Sequence, residues 1–299
     1  MISGMTTGEG DAWGRGLSPE DLDGVDPVTA VMLADACRAI AAYPELVAVG
    51  ALFTAAERVP GGWQIVCEGD PLPQGARELL ADHLEDSGDE PLAEAGRWLR
   101  THPADEVTAA GRRFRVVRVE QLVRTGPEGP EPPRPTDVDP RPGDHRLPRR
   151  RPYDLLRDGQ SIPDLAGAEL LCQLLDATGR TGAEPTGSFL TPAQLAPAFT
   201  VAERSHDGRW RPVGRLHDTP QQARDSLATY FRHVVPAVES PNEADLAAYQ
   251  AAASLMTDAT RRNGIAVAGR RFRIVRLERL TLMGPDGPEP PRPTDVDVR

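Results

Sequence analysis

The sequence predicts an α+β protein of two tandem copies, each a small antiparallel sheet with helices packed on one face and closed by a polyproline segment. Three observations predict it. Ala110–Asp139 and Ala268–Asp297 match at 23 of 30 positions, 158 residues apart, and self-similarity of that kind marks a repeated folding unit. The repeat also reaches upstream: Phe53-Thr54-Ala55-Ala56-Glu57-Arg58 matches Phe199-Thr200-Val201-Ala202-Glu203-Arg204, Trp63 matches Trp210, and Pro73–Arg77 matches Pro220–Arg224. Inside each copy, apolar residues at helical spacing alternate with short strand-like runs bounded by Gly, Pro and Asp.

Asp26-Pro27 is an N-cap and N1 pair, after which Leu33, Ala36, Cys37 and Ile40 share a helical face. That helix must stop near Tyr43 because Pro44 follows. In the second copy Ala168, Leu171, Cys172 and Leu175 make the same stripe, with Gly179 as its stop. Residues 51–58 and 62–68 read as strands joined at Pro60-Gly61-Gly62, with Asp207-Gly208 turning the equivalent hairpin. Thr219-Pro220-Gln221-Gln222 is a capping box, followed by apolar Leu227, Tyr230, Phe231 and Val234. Leu72 takes the place of the capping threonine in the first copy, so that helix entry should be less well fixed. Ser240-Pro241-Asn242-Glu243 reads as another capping box, opening a helix with Leu246, Tyr249, Ala253 and Met256 as its stripe. Its counterpart near Pro91–Thr101 is shorter, and the second copy carries extra helical residues before its closing block.

From Arg112 to Leu122 the apolar residues change side near Val116-Val117, which implies a strand covered on both faces or a bulge. Gly126-Pro127-Glu128-Gly129 then turns, and Pro130–Pro135 must be extended, largely polyproline II. Its attachment to a core strand favours a strap across its own module over a ligand offered to a partner. The expected organisation is a disordered segment 1–25, module 1 at 26–139, an exposed linker 140–158 rich in Pro and containing Arg149-Arg150-Arg151, and module 2 at 159–299.

Composition excludes more than it assigns. All 34 basic residues are arginine, so there is no lysine for a pyridoxal Schiff base, a P-loop or a kinase-type ATP site. Cys37, Cys67 and Cys172 are an odd number without CxxC spacing, which suits buried thiols in a reducing, cytoplasmic setting. No apolar run reaches membrane-spanning length. A net charge of −11 argues against broad nucleic-acid affinity.

The Gly-Arg-Arg-Phe-Arg strand leading to Gly-Pro-Glu/Asp-Gly-Pro-Glu-Pro-Pro-Arg-Pro-Thr-Asp, present in both copies, resembles a family of uncharacterised actinobacterial proteins of unknown function. The resemblance implies a cytoplasmic protein and brings no activity or site residues with it.

The search for chemistry points to arginine. The six histidines show no HxH or HExxH spacing, and His83 lies on a helix face that suits a packed ring. No cofactor or metal site is expected, and Asp137, Asp139, Asp295 and Asp297 read as solvated charge. Arg113, Arg115, Arg271 and Arg273 share a strand side and recur in both copies. Together with Glu57, Glu203, Arg58 and Arg204 they are the candidate binding residues. Two accounts compete: pairing with carboxylates such as Glu57 and Glu203, or an anion site made of two guanidinium forks on one face. The resulting reading is a noncatalytic, duplicated binding protein whose partner is another protein or a small anionic ligand. The alternatives are an enzyme using Glu57, Glu203 and arginines between the modules, and an arginine-strand RNA or nucleotide binder.

Overall fold

The computed structural model describes residues 27–141, 155–157, 189 and 191–295. The segment 1–25, the arginine run 149–151, the helix read at Ala168–Gly179, and Asp297 lie outside the described residues. What is described is helix and antiparallel strand, in two compact units that each draw on three stretches of sequence. The first unit joins Met1–Val47 and Val123–His145 to Pro197–Leu277; the second joins Ala48–Leu122 and Arg146–Ala196 to Glu278–Arg299. Each closing stretch therefore groups with the core of the other copy.

In the second unit β1 (Glu45–Val59) and β2 (Gly62–Ile65) form the expected hairpin, with Val59 opposite Gly62. Within the stretch read as linker, Leu155–Arg157 form β6, which pairs with β2. The order runs β6-β2-β1-β4-β10, where β4 is Arg112–Gly126 and β10 is Arg270–Gly284. Two helices, α2 (Pro73–Glu85) and α3 (Glu90–Thr101), bring Leu80, Leu84, Leu92 and Leu99 into one core with Phe53, Phe114 and Val116. Val117 and Val119 point the other way along β4 and are buried too. β4 is thus covered on both faces, as its pattern of apolar residues implied. His83 is a half-buried ring set edge-on to Phe114, 6.4 Å away. At the start of α2, Leu72 makes no side-chain cap, and the Asp70 carboxylate accepts the Leu72 N–H instead, at 2.8 Å.

In the first unit α1 (Pro27–Ala42) ends before Pro44, as expected. β10 lies beside β7 (Thr191–Arg204), which pairs with β8 (Trp210–Pro212). The core gathers Phe199, Leu227, Phe231, Tyr249, Met256, Phe272 and Ile274. The Thr219 capping box forms as read, opening α4 (Pro220–Thr229). A π-helical turn, Tyr230–Val234, follows and leads into α5 (Val235–Val238). Pro236 has no N–H to donate, and the helix widens just before it. The wider turn rotates the buried face, so Val234, read as core, is 41% exposed while Val235 is buried. A second correction concerns α6 (Glu243–Met256). Ser240 stands at φ 48 in the link out of α5, and the cap falls to Asn242, whose Oδ1 accepts from Asp245 N at 2.9 Å.

The closing segments depart most from expectation. β4 and β10 are each 15 residues long, about 50 Å of extended chain, so their two ends lie far apart. Each ends in the other unit. After β4 the chain turns through β5 (Gly129–Pro130) and runs along the second copy's strand: Arg276 N donates to Glu131 O at 2.9 Å, and the Arg276 guanidinium to Asp137 at 3.0 and 3.1 Å. Arg224 reaches Asp139 at 2.9 and 2.6 Å. After β10 and β11 (Gly287–Pro288), Arg118 N donates to Glu289 O at 2.8 Å, and the Arg118 guanidinium pairs with Asp295 at 3.1 Å. The first segment also meets α1 of its own copy, where the Asp35 carboxylate accepts from Thr136 Oγ1 at 2.5 Å and from Thr136 N at 3.3 Å, but both segments lie along the strand of the other copy. These aspartates are also not solvated: the Asp137 side chain is 4% exposed, because each one answers a buried arginine.

Candidate functional site

In the second unit β3 (Glu106–Ala109) pairs with β4, setting Glu106 opposite Arg115 and Thr108 opposite Arg113. Alternation along the strand then places both guanidinium groups on the side of Glu106. Glu106 accepts from Arg113 at 2.6 and 3.0 Å and from Arg115 at 2.8 and 2.7 Å. Asp286, in the turn after β10, accepts from Arg113 at 2.8 and 2.6 Å and from Arg115 at 2.6 Å. Arg115 also donates to the Asp286 and Pro288 carbonyls, at 3.0 and 3.2 Å. Beneath them lies the buried Trp63 ring, with the guanidinium carbons of Arg58, Arg113 and Arg115 at 5.7, 5.3 and 5.0 Å from its centroid. Gly287 rests on that indole at φ 113, and a Cβ there would stand 2.3 Å from Nε1, so only glycine serves.

The electrostatics follow the geometry. Burial acts to raise the Glu106 pKa, but the hydrogen bonds from Arg113 and Arg115 outweigh it and hold the group below its ordinary value. The same two donors hold Asp286 well below the usual carboxylate range. Arg113 is pushed up in turn, by Asp286 first and then Glu106. Two cations and two anions neutralise one another here, an arrangement that binds the closing segment to the core.

The first unit repeats the scaffold without the neutralisation. β9 (Gly264–Val267) pairs with β10, setting Gly264 opposite Arg273 and Ala266 opposite Arg271. Both hairpins turn on the same Ala-Gly pair at positive φ, Ala110-Gly111 and Ala268-Gly269. Glu106 is therefore replaced by Gly264, and among the described residues no carboxylate forms an ion pair with Arg271 or Arg273, Glu128 acting on Arg273 only at longer range. Arg273 lies over Trp210, 5.1 Å from the ring centroid, and donates to Pro130 O at 2.9 Å. Gly129 rests on the Trp210 indole as Gly287 does on Trp63. Arg271 is exposed, and Arg204, also exposed, donates from Nε to Gly208 O at 3.3 Å. Burial lowers the Arg273 pKa, and the positive charges of Arg271 and Arg204 add to that, against the opposing pull of Tyr43 and Glu128. The result is a half-buried cation among like charges.

Glu57 and Glu203 sit elsewhere. Glu57 is held by Arg112 at 2.6 and 2.7 Å, and Glu203 by Arg270 at 2.7 and 2.8 Å. Arg270 further binds Glu239 at 2.9 Å and the Tyr230 hydroxyl at 2.9 Å. The carboxylates expected to partner the paired arginines thus serve the arginine one step earlier on each strand, because alternation turns Arg112 and Arg270 to the opposite side from Arg113 and Arg271. Glu106 and Gly264 were missed in the sequence because they precede the near-identical block. Carrying the 158-residue offset four positions upstream sets them against each other. Among the described residues no three His, Cys, Asp or Glu side chains converge as metal ligands, and no helix is long and apolar enough to cross a membrane.

Residues 26–298 match the model of a family described as "Family of unknown function (DUF5954)". No curated protein and no solved structure matches the chain. The family match agrees with the resemblance read from the closing block at the level of a family without an assigned activity, and it carries no residue roles.

Proposed function

We propose that this chain, which belongs to the DUF5954 family of unknown function, is a noncatalytic duplicated binding protein that holds an anionic ligand on the first unit. Arg271 and Arg273 are the anion-binding pair, Trp210 is the aromatic floor under Arg273, and Arg204 adds charge at the rim. The single observation behind this reading is the substitution of Gly264 for Glu106, which keeps the guanidinium pair and removes its internal counter-ion. Arg113 and Arg115 have the structural counterpart of that role, fastening the turn at 286–288, with Arg58 beside them on the Trp63 ring. The enzyme alternative has less support, since Glu57 and Glu203 each have both oxygens engaged by an arginine. The two modules supply one binding face and one closed face, and the setting is cytoplasmic. Buried free Cys37 and Cys67, the latter thiol pushed up to about 12 by burial, suit a compartment where thiols stay reduced.

The test is calorimetric titration with sodium pyrophosphate and with glutarate at low salt. Wild-type protein should bind at least one of them, and Arg271→Gln/Arg273→Gln should lose that binding while keeping its fold by circular dichroism. Undiminished binding in the double variant, or no binding of either anion by the wild type, would overturn the reading.

A further inference from the structure

We infer that the ligand of the first unit's arginine pair is a carboxylate, seated where the Glu106 side chain lies in the second unit. This rests on the anion-binding reading above and narrows it to one chemical class. The second unit acts as a template. Its arginine pair is met by two carboxylates, Glu106 from the neighbouring hairpin strand and Asp286 from the closing turn. The first unit keeps an acid at the second place, since Glu128 occupies the turn position of Asp286 and lies within electrostatic reach of Arg273. Only the first place is empty, at Gly264. The space is open there: a Cβ built on Gly264 would meet nothing nearer than the Phe272 carbonyl oxygen at 3.5 Å.

The match in shape favours a planar carboxylate over a tetrahedral anion. Glu106 takes four N–H donors, two from each arginine: Arg113 spans both carboxylate oxygens while Arg115 closes on Oε2 alone, and the Arg113 contact is the bidentate geometry guanidinium groups prefer. The vacated volume is that of one acidic side chain, so the ligand carries its carboxylate on a short aliphatic stem. Two sources have that chemistry, a free short-chain dicarboxylate and the glutamate side chain of a partner peptide.

The deciding experiment compares glutarate, a Gly-Gly-Glu-Gly-Gly peptide with blocked ends, and inorganic phosphate, on wild type, Gly264→Glu and Glu106→Gly. Titrations are followed by calorimetry and by the Trp210 indole N–H resonance. Wild type should bind glutarate or the peptide about tenfold more tightly than phosphate, a difference of roughly 1.4 kcal/mol. Preference between the two carboxylates identifies the source. Gly264→Glu restores the internal counter-ion and should abolish binding without loss of fold. Glu106→Gly, if it folds, should gain a second, weaker equivalent of carboxylate. Phosphate binding as tight as or tighter than carboxylate would overturn this inference and leave the anion-binding reading in place. Unchanged carboxylate affinity in Gly264→Glu would also overturn it, by moving the ligand away from the vacated position. Absence of binding by all three probes would remove both readings together.

Discussion

At the scale of single residues, arginines of the two matching pairs carry opposite duties. Arg115 is buried, with every donor group facing an acceptor, and Arg271 is exposed with no carboxylate in reach among the described residues. Arg115→Gln strips Glu106 and Asp286 of a shared partner, and because both acids retain solvent contact the expected cost is about 1–3 kcal/mol in urea unfolding. Arg271→Gln should stay within about 0.5 kcal/mol of wild type, as surface substitutions do. Equal costs for the two would remove the distinction between a fastening pair and a binding pair. Position 264 makes the same point about legibility. Glycine and glutamate there are ordinary residues in an unremarkable strand, and nothing local marks them. Their meaning comes from the register that sets each opposite an arginine.

At the scale of elements, the sequence was most informative where local chemistry decides the outcome. The end of α1 before Pro44, the Thr219 capping box and the two-sided burial of β4 all follow from neighbours in sequence. It was least informative where a distant segment decides. Val234 turned outward because Pro236 widened the helix ahead of it, and Asp137, Asp139 and Asp295 found arginines 139, 85 and 177 residues away, which no local pattern announces. The β10–β11 turn is fastened chiefly by ions and so should respond to acid. Asp286 and Glu106 both have depressed pKa values, so their contribution is fully present above the ordinary values of 3.8 and 4.5 and is lost as pH falls below them. The melting temperatures of wild type and Asp286→Asn should differ at pH 7, begin to draw together only as pH falls below 3.8, and go on converging well under pH 3. A gap that stays constant over that range would show the turn to be held by other forces.

At the scale of the whole molecule, the exchange of closing segments governs behaviour. A chain nicked by trypsin in the run Arg149–Arg151 should still migrate as one species in native size-exclusion chromatography and separate only in urea, since residues 123–139 are held by the 197–277 core and 278–295 by the 48–122 core. Separation without denaturant would contradict the exchanged arrangement. Truncation after Met283 should disturb the other copy. Arg113 and Arg115 lose Asp286 and Arg118 loses Asp295, and melting should fall by roughly 5–10 °C at about 2–4 °C per kcal/mol. Hydrogen exchange should quicken in 106–118 before it does in 264–276. The exchange also sets a clock on synthesis. Arg115 leaves the ribosome 171 residues ahead of Asp286, so through most of translation the earlier core carries two guanidinium groups with Glu106 as their shared acid and an uncovered Trp63 beneath them. Contacts so far apart in sequence close slowly, and an open core is the state in which a nascent chain finds wrong partners. The core begun at residue 48 stays unfinished until residues 278–295 emerge to cover it.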